Sequence, residues 1–341
     1  MQISAPVQSF MGFFTCDPLI TDYGGIYLSI VTCCSVGITM QFATERILLA
    51  SGDPLGPMII QGIGAVLNLI LDPLLIFGCG PVPPLGVAGA ALATVSGQLL
   101  GMTVGFFLVS GRKDLSLSPR RFRPSGDVIR EIYRIGLPAI VMQSLATFMT
   151  LGLNKIMALF SESAVFILGV YFKIQSFIFM PVFGLNNGLT PVVGYNYGAR
   201  SRGRIVALIR FALEIGVVIM AVGTLLLALF PHRFLQLFHA ESNVLATGVS
   251  ALRMISSGFV FAGVSVILCA AFQAMGASML SLAVSLSRQL VLILPAALLL
   301  GHFSPRFMWL CFPIAELLSC LLALLFYRKV YREKLVPMSE R

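Results

Sequence analysis

The feature that most constrains this chain is the length of its apolar runs. Residues 205–230 read "IVALIRFALEIGVVIMAVGTLLLALF" and residues 307–327 read "FMWLCFPIAELLSCLLALLFY". A bilayer core about 30 Å thick takes ~20 helical residues to cross. Barrel strands would instead show ~10-residue alternating segments. Runs of this length predict an all-α polytopic membrane protein. Composition agrees, with 57% hydrophobic residues, 11% charged residues and a mean hydropathy of +0.94. Soluble chains carry about 25% charged residues, so this one lacks the side chains to cover a water-facing surface.

Nine spans are expected, at 23–50, 55–78, 86–109, 133–158, 164–194, 204–230, 243–273, 277–301 and 306–328. Turn chemistry separates them at "SGDPLGP" (51–57), "GCGPVPPLG" (78–86), "SLSPRRFRPSGD" (116–127) and "GHFSP" (301–305). The opening stretch 1–14 reads as the end of a further helix. Four blocks follow: 1–110 as an incomplete N-terminal lobe, 111–130 as a basic loop between lobes, 131–328 as a C-terminal lobe, and 329–341 as a basic tail.

The net charge of +9 sits beside the spans, so it points to membrane topology and not to nucleic acid. Counting Lys and Arg on alternate sides gives sixteen on one side (Arg46, seven from 112 to 134, Arg200, Arg202, Arg204 and five after 327). The other side has three, Lys155, Arg233 and Arg306. The positive-inside rule then puts the C-terminus in the cytoplasm of a multi-pass bacterial plasma-membrane protein. The seven cysteines show neither metal-ligand spacing nor a disulfide framework.

The chain also repeats. "RILLASGDPLGPMII" (46–60) resembles "AAFQAMGASMLSLAV" (270–284) at an offset of 224 residues, with Gly52 aligned to Gly276. Spans 23–109 then match spans 243–328, and the helices that would match 133–230 fall upstream of Met1. A complete repeat would begin about 90 residues earlier, as if the chain lacked two helices and most of a third.

Polar residues inside the spans are the candidate site. In "LNLILDPLLIF" (67–77), Asn68 and Asp72 share a helix face. A carboxylate in hydrocarbon costs ~2.5–3.5 kcal/mol on insertion scales. Asp72 therefore faces a cavity, a cation or a proton, or else caps a helix break at the interface beside Pro73. Glu45 reads either as a second cavity acid or as a surface partner of Arg46. Gln41 reads as a site-lining residue or as a helix–helix hydrogen bond. Lys173, Gln143 and Gln175 are further cavity-lining candidates, with an ion pair as the alternative for Lys173. Arg253, Arg288, Glu214 and Glu316 are expected to form pairs, which the sequence leaves unassigned.

"GIGAVLNLILDPLLIFG" with "LGVAGAALATVSGQ", and "FMPVFGLNNGLTPVVGYNYGARSRGRI" (179–205), resemble the multidrug and toxic compound extrusion (MATE) transporters, nearest the DinF/MepA-type branch. "IGLPAIV" and "FQAMG" fit the same pattern. The resemblance implies a bilobal bundle of twelve helices, of which this chain holds about nine complete ones. It implies an antiporter of organic, often cationic, drugs or toxins, working as a monomer with H⁺ or Na⁺ as coupling ion and no cofactor. In that branch an Asn-x-x-x-Asp and a Thr help to hold the coupling cation. The matching positions here are Asn68, Asp72 and Thr94, so Na⁺ at Asn68 and Asp72 is one expectation. A neighbouring reading keeps the architecture and moves lipids or lipid-linked sugars, and a further one is a non-functional fragment. A membrane enzyme fits poorly, because His232, His239 and His302 lie in short loops without catalytic partners.

Overall fold

The computed structural model describes residues 18–78, 83–112, 125–238 and 242–338. The stretch 1–14, most of the basic loop and His239 lie outside those residues. The described residues are helical with connecting turns and contain no strand. Contacts divide the chain into two compact units, Met1–Arg123 and Pro124–Arg341, and the division falls within the basic stretch 111–130.

The first unit holds α1 (Pro18–Cys33), α2 (Val36–Ala50), α3 (Leu55–Phe77) and α4 (Gly86–Ser110). The small residues of α4 let it pack against all three others. A Cβ on Gly97 would lie 2.7 Å from the Gly64 carbonyl oxygen, and one on Gly89 would lie 2.3 Å from the Leu75 carbonyl oxygen. Only glycine lets two backbones approach so closely, and in lipid that approach replaces the hydrophobic drive between helices. At one end of the unit, Asp53 Oδ1 accepts the backbone N–H groups of Leu55 and Gly56 at 3.0 and 3.1 Å. The Asp53 carboxylate also pairs with Arg112, tying the α2–α3 turn to the end of α4.

The second unit holds α5 (Gly126–Phe160), α6 (Glu162–Gly198), α7 (Arg202–Leu229), the short α8 (Pro231–Leu237), α9 (Ser242–Ser256), α10 (Phe259–Ala274) and α11 (Ser278–Leu286). A π-helical stretch, Ser287–Leu292, leads into α12 (Ile293–Phe303). The chain then passes through a 3₁₀ turn at Phe307–Leu310, α13 (Cys311–Val330) and a last π turn at Tyr331–Leu335. α10 packs against α6, α7, α11 and α13, and its residues Ala262, Ile267, Leu268, Ala271 and Phe272 have no exposed surface. Around it, the Tyr171 ring meets Phe312 edge-on at 4.9 Å, and Phe179 meets Phe259 edge-on at 5.5 Å.

Among the described residues, seven helices are long and apolar enough to cross a membrane, or nine spans if each of two bent pairs counts as one. The nine match the nine expected from the sequence, with three corrections. Several helices overrun their apolar stretch. α5 begins seven residues early, because its polar first turn carries Asp127 where the helix dipole favours an acid. The expected single spans 23–50 and 243–273 are each a bent pair of helices, by 52° between α1 and α2 and by 43° between α9 and α10. The expected regular span 277–301 contains the π-helical stretch.

The two bends fall at equivalent places in the 224-residue repeat, around Cys34 and Gly258. The turns that follow are equivalent too. The N–H groups of Ser51, Gly52 and Asp53 bond to the carbonyls of Ile47, Leu49 and Leu48, and those of Met275, Gly276 and Ala277 bond to Ala271, Gln273 and Phe272. Gly52 and Gly276 have φ of 83° and 68°, the left-handed conformation that closes a helix end without a Cβ penalty. A bend, a hydrogen-bond pattern and a φ sign thus coincide at one offset. The repeat is therefore structural and goes beyond shared greasiness.

Candidate functional site

Asn68 and Asp72 both lie on α3, one turn apart and half-buried. Asn68 Nδ2 stands 3.5 Å from Asp72 Oδ1, a long contact that leaves most of the carboxylate's acceptor capacity unused. α3 continues through Pro73 to Phe77, so Asp72 sits within a helix and caps no break. Pro73 has no N–H to give the carbonyl one turn back, which leaves the local backbone richer in acceptors.

The Gly64–Gly97 approach brings α4 against this face, with Asn68 Cβ 3.5 Å from where a Cβ on Gly97 would be. Thr94 lies one turn earlier on α4. Its hydroxyl donates to the Ala90 carbonyl at 3.0 Å and stands 3.5 Å from the Tyr27 hydroxyl of α1. No hydrogen bond joins Thr94 to Asn68 or Asp72. The three residues share one helix pair, and Tyr27, which the sequence reading did not single out, extends their polar lining onto a third helix.

Further along α4 lies a second polar set. Glu45 is 2% exposed. Gln41 Nε2 donates to its Oε1 at 3.0 Å, and Gln61 Nε2 of α3 donates to its Oε2 at 2.9 Å. A Cβ on Gly101 would come within 2.8 Å of the Gln41 amide, and one on Gly105 within 2.2 Å of Thr44 Oγ1. The α4 glycines thus make room for α2's polar side chains. Among the described residues Glu45 has no cationic partner, and Arg46 does not pair with it. Between the two sets on α4, the Gln98 side-chain oxygen is buried without a hydrogen-bond partner.

In the second unit, Gln143 and Gln175 line a cavity of about 530 Å³. Lys173 is not among the lining residues, and its ammonium lies over the Phe238 ring, 5.4 Å from the centroid. The unassigned charges resolve as follows. Arg288 pairs with Glu316 at 3.5 Å, Arg210 bonds to Glu214 at 2.9 Å, and Arg253 donates to the Ala228 carbonyl at 3.0 Å. Arg210 stands one turn before Glu214, a helical spacing that was the available signal for this pair and was not used. The Arg288–Glu316 pair joins different helices and needed the fold.

A family model described as MatE matches residues 4–74 and 138–299. The multidrug export protein MepA of Staphylococcus haemolyticus is 27% identical over 256 residues, covering 75% of this chain and 56% of the relative. A FAD transporter of Shewanella oneidensis is 28% identical over 279 residues, covering 80% of this chain and 60% of the relative. The chain thus spans little more than half the length of these proteins. Among solved structures, the outward-facing conformation of a multidrug resistance MATE family transporter of the MOP superfamily superposes with a TM-score of 0.88 at 23% identity. That match covers 96% of this chain and 74% of the other. A MOP superfamily transporter from Pyrococcus furiosus gives 0.88 at 22% identity, with the same coverages. At such identities the likeness speaks for the helical architecture.

Proposed function

The chain belongs to the MatE family, and from that premise we propose that it is a secondary active exporter, moving small organic compounds outward in exchange for H⁺ or Na⁺. It would work as a multi-pass protein of the bacterial plasma membrane, as a monomer, with its C-terminus in the cytoplasm. The observation that carries this reading is the Asn68–Asp72 pair. An acid and an amide oxygen stand on one turn of a membrane helix, with acceptor capacity to spare. A proton or sodium ion arriving at Asp72 would cancel its charge, and the Asn68 oxygen is a hard neutral ligand suited to Na⁺. Neutralisation removes the cost of burying that carboxylate, which shifts the balance between open and closed arrangements of α3 and α4. Thr94 supplies a hydroxyl on the helix packed against α3, in contact with that of Tyr27.

The test is gradient-driven efflux from cells or vesicles carrying this chain. Asp72→Asn should reduce transport under an imposed proton or sodium gradient to background, with the protein still inserted. Unchanged efflux in Asp72→Asn would overturn the coupling role, and no efflux by the parent chain would overturn the exporter reading.

A second reading of the cargo has its own support. One relative is named a FAD transporter, which favours an aromatic, hydrogen-bonding metabolite over an organic cation. Competition between a cationic dye and a flavin in the same efflux assay separates the two cargo classes.

A further inference from the structure

The second unit contains a chamber that the coupling site does not use. Its volume is about 530 Å³, within the ~300–1,000 Å³ typical of small-molecule sites. Six side-chain amides line it: Gln143, Gln175, Asn186, Asn187, Gln273 and Gln289. Phe172, Phe179, Phe183 and Phe312 supply flat apolar wall between them. Among the described residues, the only charges on the lining are Arg288 and Glu316, which neutralise one another, so the chamber offers a cation no net attraction.

Two local features mark the chamber as built for an occupant. The repeat partner of Arg288, 224 residues earlier, is Gly64, which closes the first unit by packing on Gly97. In the second unit the same place is a π-helical stretch, Ser287–Leu292, which puts both Arg288 and Gln289 on the chamber wall. Such stretches recur at functional sites because they give up regular hydrogen bonding. Three acceptors around the chamber also lack hydrogen-bond donors. They are the side-chain oxygens of Asn186 and Gln289, and Glu316 Oε2, whose 3.5 Å separation from Arg288 is too long for a good hydrogen bond. Gln289 is 7% exposed. Buried acceptors are nearly always satisfied; these oxygens lie beneath the wall, and a side-chain rotation toward an occupant that brings N–H groups would satisfy them.

We propose that the chamber lined by Gln143, Gln289 and the Arg288–Glu316 pair binds uncharged planar heteroaromatic compounds bearing N–H donors on their edge, and discriminates against planar cations of the same size. This rests on the exporter reading and names the cargo chemistry within it. The aromatic walls take the ring faces. The unsatisfied oxygens take the donors, and a site built around hydrogen bonds rejects molecules that cannot make them.

The experiment is equilibrium binding to the purified full chain in detergent, read by fluorescence and corrected with empty micelles. Lumichrome, an uncharged tricyclic imide with edge N–H groups, is compared with 10-methylacridinium, a tricyclic cation with none. The expected result is lumichrome binding at least tenfold tighter than 10-methylacridinium, weakened about tenfold by Gln289→Leu and unaffected by Gln236→Leu on α8, away from the chamber. If Gln289→Leu is not monodisperse, Gln143→Leu on the more open wall serves in its place and should also weaken lumichrome. Equal binding of both probes, or lumichrome binding indifferent to both chamber variants, overturns the proposal. Because no gradient is involved, selective binding without efflux would sink only the exporter reading. Efflux without selective binding would sink only this one.

Discussion

Arg200 occupies a position built for glycine. Its φ is 54°, and the N–H groups of Ala199, Arg200 and Ser201 bond back to Tyr195, Tyr197 and Asn196 in the pattern seen around Gly52 and Gly276. A Cβ in that conformation costs roughly 1–2 kcal/mol. Arg200→Gly should therefore raise the midpoint of thermal unfolding in detergent, by an equivalent of about 1 kcal/mol, whereas Gly276→Ala should lower it. Equal midpoints in all three proteins would show the turn to be unstrained. Asp53 makes a second residue-scale prediction. Gly56 N–H and the Arg112 guanidinium, with Leu55 N–H, hold its carboxyl below the usual aspartate value of about 3.9. A depressed folded-state value means the clamp stabilises fully above that pH and is lost as pH falls through the lower, folded one. Between pH 5 and 2 the parent should lose thermal stability more steeply than Asp53→Asn, and the two should converge at the acid end. Parallel curves would remove the clamp from the stability balance. Residue-level legibility followed sequence distance. Asn68 and Asp72 are one turn apart and were visible from spacing, whereas the Tyr27–Thr94 contact spans 67 positions and Gln61 reaches Glu45 across 16. No local pattern encodes such pairings.

At the scale of elements, α3 and α4 are held together by absence of side chains. The Gly97 backbone lies so close to Gly64 that a methyl group has nowhere to go. Gly97→Ala should push the helices apart and destabilise the first unit by about 1–3 kcal/mol. Gly62→Ala, on α3 with open space around it, should be neutral or gain up to ~1 kcal/mol from backbone entropy. Thermal unfolding of both variants beside the parent checks this, and equal effects would show that helix propensity, and not the close approach, governs the contact. Apolar length made the nine spans legible, since hydropathy averages over twenty residues. The bends at Cys34 and Gly258 and the π stretch at Ser287–Leu292 were not legible, because each interrupts the backbone without interrupting the apolar character. The Gly64–Gly97 contact was not legible either, because only the register of two helices decides which glycines meet.

At the scale of the whole molecule, charge and geometry make one consistent statement about ends. In the first unit Asp53 and Arg112 join the α2–α3 turn to the end of α4. In the second, Lys334 Nζ donates to the Met275 carbonyl at 3.0 Å, and Arg202 meets Tyr331. The α6–α7 turn, the α10–α11 turn and the C-terminal segment therefore gather at one end. These are the groupings required if successive spans alternate in direction, and they are the groupings that collect sixteen basic residues against three. Basic side chains resist transfer across the bilayer, so in each unit the end tied in this way should face the cytoplasm. A fluorescent protein fused after Arg341 should then fluoresce, and alkaline phosphatase fused there should be inactive. Phosphatase fused after Phe303, in the turn between α12 and α13, should be active. Replacing Arg328, Lys329 and Arg332 with glutamine should leave the orientation unchanged, because thirteen basic residues would still outnumber three. An active phosphatase after Arg341 would reverse the assignment. It would place the α10–α11 turn, which Lys334 ties to the C-terminal segment, on the outer side.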